Sequence, residues 1–169
     1  MERRSQRMWE LRETLRAVLR DRAFSAPDPA VAQVIEAVRE EICRFRFEEY
    51  VLVWAARHEL PPDLAISELL TRPPAPMSRA HLPIGYVARD LISEVVARDV
   101  LELDIRFDMA YDTEVCDEPR AVAIIDRLFG TLDRPVFWSS TGLTPQTFNE
   151  GIIAADSEHV LVVWLGDED

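Results

Sequence analysis

The sequence predicts an α+β fold: N-terminal helices packed with a small, mainly antiparallel sheet of about four strands, with one further helix in the C-terminal half. Three observations carry this. Apolar residues recur at three- and four-residue steps through much of residues 1–98, the spacing of one helix face. At residue 99 the period changes to two. Near the end, the apolar runs 151–155 and 159–165 are joined by three turn residues, the pattern of a hairpin. A chain of 169 residues fits one domain. We divide it into a helical part, 1–98, and an acidic β-α-β-β-β part, 99–169, with a candidate linker at 72–83.

Taken in order, residues 5–23 read as an amphipathic helix with Met8, Leu11, Leu15 and Val18 on one stripe. The stretch SAPDP ends it, and Asp28-Pro29 is a helix-start signal. A second helix runs from 29 to the mid-40s, with Val31, Val34, Ile35, Val38 and Ile42 on one side. Residues 44–58 fit two structures. Phe45, Phe47 and Tyr50–Trp54 favour a strand, but no Gly, Pro or Asn interrupts the segment, and we favour a continuing helix. Pro61-Pro62-Asp63 starts a short helix over 64–71. The prolines of RPPAPM (72–77) exclude helix there. A further helix is expected over 84–98.

The segment 100–109 alternates, with Leu101, Leu103, Ile105, Phe107 and Met109 on one side and Glu102, Asp104, Arg106 and Asp108 on the other. It reads as a strand with one dry and one wet, acidic face. Pro119 opens a helix to 129, with Gly130 as its stop. Residues 135–140 form a short strand, 140–150 a loop, and the unbroken run Val160–Leu165 a central strand covered on both faces.

Charge is the most informative feature for function. Residues 1–98 hold 15 Arg against 15 Asp and Glu, whereas residues 99–169 hold 4 Arg against 16, so the whole net charge of −12 lies in the second part. A one-signed field selects partners by sign. It repels phosphate backbones, so nucleic acid is not an expected partner. No run approaches the about 18 apolar residues of a membrane span, and the charged N-terminus lacks a signal-peptide stretch. The expected location is cytoplasmic. The chain has no Lys, which removes Schiff-base chemistry and the Walker phosphate loop. All-Arg basic usage fits a GC-rich bacterial genome. Cys43 and Cys116 are too few for a disulfide scaffold. His58, His81 and His159 show no ligand spacing, and Ser139-Ser140 lacks the flanking glycines of a nucleophile elbow. No catalytic residue, cofactor or metal ligand is assigned.

The expected function is therefore a non-enzymatic acidic protein-binding module that engages a basic protein partner through the C-terminal part, with an immunity protein or antitoxin facing a toxin or effector as its narrower form. The expected contacts are Glu102, Asp104, Asp108, Asp112, Glu114, Asp117, Glu118 and the aromatic Trp138. The acids GDED at 166–169 would join this surface if the last strand lies close to residues 100–109. Two alternatives stand beside it. One is a metal-dependent hydrolase or nuclease that uses the same carboxylates, because hard cations need clustered oxygen ligands. The other is a subunit of a larger bacterial assembly.

Overall fold

The structure, a computed structural model, describes residues 23–71, 91–139 and 148–167. Apart from Ala23, the expected first helix lies outside these residues, as do the candidate linker at 72–83 and residues 84–90. The described residues contain four helices: α1 (Pro29–Ile42), α2 (Pro62–Thr71), α3 (Glu94–Arg106) and α4 (Glu118–Phe129). The strands are β1 (Val51–Arg57), β2 (Leu91–Ile92), β3 (Phe107–Asp108), β4 (Thr113–Glu114), β5 (Val136–Trp138), β6 (Phe148–Ala155) and β7 (His159–Asp167). Five strands make one antiparallel sheet in the order β1-β7-β6-β5-β2, and β3 and β4 form a separate two-stranded ribbon. The class is α+β, with one strand more in the main sheet than expected.

The hairpin read from residues 151–165 is present, and β7 is central, buried along its whole length. Alternate residues of β7 serve two cores. Leu161, Val163 and Leu165 face α1, α3 and α4, packing with Ile35, Val38, Leu101, Ile105, Ile124 and Leu128. Val160, Val162 and Trp164 face α2, packing with Ile66, Leu69 and Leu70. Gly151 pairs with Trp164 across β6 and β7. A Cβ there would stand 2.1 Å from the Val163 carbonyl oxygen, so only glycine lets the two strands approach this closely.

Three expected elements are corrected. The helix expected over 84–98 starts only at Glu94, because Leu91 and Ile92 pair with Trp138 and Phe137 as β2. Residues 44–58 do not continue α1. The helix stops at Ile42, a turn over Cys43–Phe45 follows, and Val51–Arg57 pairs with β7 from Val51↔Leu165 to Arg57↔His159. The β-branched and aromatic content decided the outcome once a neighbouring strand was available, and no Gly or Pro was needed to break the helix.

The alternating segment 100–109 is not a strand over most of its length. Residues 94–106 form α3, started by Ser93, whose Oγ accepts a hydrogen bond from Val96 N at 3.3 Å. Leu101 and Ile105 fit a two-residue and a four-residue period equally well. Packing resolves the tie: Ala97, Leu101, Asp104 and Ile105 are buried, while Leu103 is left 55 % exposed.

Helix α1 is tied to the sheet beyond both its ends. Its first residue follows Asp28, and the Asp28 carboxylate makes no capping bond. It accepts instead from Arg57 Nη1 at 2.8 Å and lies 3.4 Å from His159 Nε2. Beyond the other end, Arg46 donates to Asp167 Oδ1 at 2.6 Å. Helix α4 is tied to α1 through Glu41, which accepts from Arg120 Nε at 3.0 Å and also from Arg127. Burial alone would raise the Glu41 pKa, but the two guanidiniums hold it below the usual carboxylate range.

Candidate interaction surface

The expected acidic contacts fall on three consecutive pieces: the last turns of α3, the β3–β4 ribbon, and the entry to α4. Over residues 99–118 the sequence holds eight Asp and Glu against Arg106 alone. The structure places these eight differently from one another.

Arg106 lies among three of them. It donates from Nη1 to Glu102 at 2.8 Å and from Nη2 to Glu114 at 2.9 Å, and Glu118 lies 3.5 Å away. The Arg106 guanidinium also covers the Phe107 ring, 5.2 Å from its centroid. One cation among three carboxylates leaves this group net negative. Asp108 turns back on its own ribbon and accepts from Ala110 N at 3.0 Å and Tyr111 N at 3.3 Å, the local backbone bonding that makes Asp a turn residue. Asp112 is exposed at the ribbon tip, where its φ of 48° is left-handed. Asp117 caps α4, accepting from Arg120 N at 2.9 Å. Asp99 is exposed on α3.

Two expected contacts are interior and are corrected. Trp138 is 2 % exposed and stacks on Trp164 in the α2-side core, with ring centroids 6.3 Å apart. An aromatic on a sheet covered on both faces is more economically buried than displayed. Asp104, expected on a wet strand face, is 3 % exposed, because the helical turn carries it inward beside Leu101 and Ile105.

Behind the ribbon, Asp104 belongs to a buried polar group with Arg46 and Asp167, and the half-buried Glu150 lies close enough to act on it. Arg46 bonds Asp167 and also donates to the carbonyl oxygens of Asp104 and Phe107. Asp167 Oδ2 accepts from Met109 N at 2.9 Å. The expectation that the last acids approach residues 100–109 holds for Asp167, although it enters as a buried brace. Asp104 Oδ2 has no hydrogen-bond partner among the described residues. Desolvation, reinforced by Glu150 and Asp167 and opposed by Arg46, pushes its pKa up to about 8, so the carboxyl is neutral at pH 7. Burial also raises the Asp167 pKa, against the Met109 N–H and Arg46.

The same stretch displays apolar side chains. Val95, Val96 and Leu103 on α3, with Met109 and Tyr111 on the ribbon, are between 45 % and 68 % exposed. Val96 and Leu103 are seven residues apart and share a helix face with Asp99 between them. Reading the segment as a strand hid this stripe, because it placed Leu103 and Met109 on a dry face.

Among the described residues these carboxylates do not form a metal-ligating group. Arg106 stands between Glu102 and Glu114, and Asp108 and Asp117 are committed to backbone N–H groups. Both cysteines are free; Cys116 is buried, and burial raises its thiol pKa, which disfavours the reactive thiolate. Cys43 is only partly buried. Among the described residues no helix is long and apolar enough to cross a membrane. Comparison with known proteins gives no match: no family model, no curated protein and no solved structure matches the chain.

Proposed function

We propose that the chain is a non-enzymatic binding module for a basic protein partner, docked on the α3 edge, the β3–β4 ribbon and the entry to α4. An immunity protein or antitoxin that neutralises a basic toxin is the narrower form of this reading. The observation that carries it is the concentration of acids on these pieces with Arg106 as the only basic residue between 99 and 118. With Asp104 neutral, seven charged carboxylates remain. Such a field accelerates encounter with a positive partner and weakens as salt is added. Exposed Leu103, Met109 and Tyr111 on the same pieces supply apolar anchors, which charge alone does not provide.

The contacts proposed are Glu102, Asp112, Glu114, Asp117 and Glu118, with Asp99 added from the structure. Asp108 shapes the ribbon. The test uses a basic protein retained by the chain from its native host. The variant Asp99→Arg, Asp112→Arg, Glu118→Arg alters exposed residues that make no backbone cap. Its association rate should fall at least about tenfold at low ionic strength, and the gap should narrow at high salt. An equal rate for variant and wild type sinks the reading, as does a retained partner without a basic surface.

A further inference from the structure

At the opposite end of β7 from this surface, and independently of it, three potential ligands converge. Asp28, Glu158 and His159 each place one donor atom so that all lie within 4.8 Å of one another, the only such group of His, Cys, Asp and Glu among the described residues. The sequence separates Asp28 from the other two by about 130 positions. No spacing motif could reveal them; the pairing of β1 with β7 and the start of α1 bring them together.

The His159 ring is enclosed, with the residue 5 % exposed. Its Nε2 accepts a long hydrogen bond from Asp28 N at 3.5 Å and lies 3.4 Å from Asp28 Oδ2. The Nε2–Oδ2 separation exceeds that of a good hydrogen bond, about 2.7–3.2 Å. It matches a different geometry. Two ligands of a tetrahedral ion with bonds of about 2.0–2.2 Å stand roughly 3.3–3.6 Å apart.

The donors sit on restrained backbone. Asp28 precedes Pro29, which fixes the entry to α1. The backbone N–H groups of Glu158 and His159 both donate to Asp156 Oδ1, at 2.7 and 2.6 Å, while Asp156 Oδ2 accepts from Asp133 N at 2.8 Å. Asp156 thereby fixes the turn that carries two of the three donors. Arg57 occupies Asp28 Oδ1 and leaves Oδ2 toward the imidazole. Such outer contacts orient ligands in metal sites. Glu158 is exposed, so the group is open to solvent on one side and leaves room for a water as fourth ligand.

We propose that Asp28, Glu158 and His159 bind a divalent transition-metal ion, with Zn²⁺ the best fit. One imidazole and two carboxylates suit a borderline ion; Mg²⁺ and Ca²⁺ prefer oxygen donors alone. The ion also relieves the repulsion between two carboxylates that Arg57 compensates from one side only.

The test is calorimetric titration of the untagged, chelator-treated full chain with Zn²⁺, with Mg²⁺ in parallel. One Zn²⁺ per chain is expected, with no heat from Mg²⁺. Glu158→Gln, an exposed and structurally mild change, should weaken Zn²⁺ binding at least about tenfold, and Asp28→Asn should do the same. Glu94→Gln, an exposed residue in the first turn of α3, should leave it unchanged. Cobalt substituted for zinc should show the visible bands of a tetrahedral site in wild type and lose them in Glu158→Gln. Absence of saturable Zn²⁺ binding overturns the proposal. So does stoichiometric binding that survives both substitutions, since the ion would then sit elsewhere.

Discussion

Beside the two ends of β7, α1 is tied to the sheet by different means. At the Asp167 end the tie is interior: Arg46, with its side chain 4 % exposed, serves Asp167 and two carbonyl oxygens, and Asp104 is buried beside them. At the His159 end the tie reaches the surface: Arg57 and Asp28 are 48 % and 40 % exposed. The difference teaches that one helix–strand contact can have an end that cannot lose a partner and an end that can. A buried charge without its partner keeps its full desolvation penalty, whereas an exposed one recovers water.

The sharpest way to break this contrast is to remove each arginine in turn. Arg46→Ala should destabilise the fold by about 3–5 kcal/mol, because Asp167 and the carbonyls of Asp104 and Phe107 lose their donor in the interior. Arg57→Ala should cost less than about 1 kcal/mol. Urea unfolding of the two variants measures both. Equal losses would mean that the ends are equivalent.

The next effect depends on pH. The Asp104 pKa rises from 3.8 to about 8 on folding. Between those values the native state holds a proton that the unfolded chain has released. Stability from this group is therefore complete below about pH 4 and is lost as pH rises toward 8, at up to about 1.4 kcal/mol per pH unit. Asp167, also raised, contributes with the same sign. Asp104→Asn should remove most of the decline and make the variant more stable than wild type at pH 8. An unchanged pH slope in Asp104→Asn would show that the carboxyl is ionised in the fold. The smallest effect belongs to the ribbon tip. Asp112 has a φ of 48°, so Asp112→Gly should stabilise slightly or be neutral, within about 1 kcal/mol.

Much of the sheet was legible because its signals were local and unambiguous. Asp156-Ser157-Glu158 between two apolar runs could only be a turn, and a run as apolar as Val160–Leu165 needs cover on both faces. Helix α1 showed a start residue, a proline and one apolar face, and α4 showed a proline at its start and a glycine at its end. The segment 44–58 was misread because the lack of a helix breaker was weighed above its strand-forming content, and 100–109 because two periods fit the same residues. Leu101 and Ile105 satisfy both, and only contact with α4 and the sheet separates them. The acidic surface was legible in composition but not in shape, because whether Asp104 points in or out depends on that unresolved period. The group of Asp28, Glu158 and His159 left no trace in the sequence, since it exists only through a contact between distant parts of the chain.

The position of β7 has a consequence for how the protein comes to be made. The strand at the middle of the sheet is, among the described residues, the last to be synthesised, and it separates β1 from β6. Until residue 167 has left the ribosome, β1 and β6 lack the strand that joins them, and the apolar faces of α1 and α2 lack the β7 side chains they pack against. A nascent chain must hold these surfaces apart for most of its translation, which makes folding late, slow and exposed to aggregation.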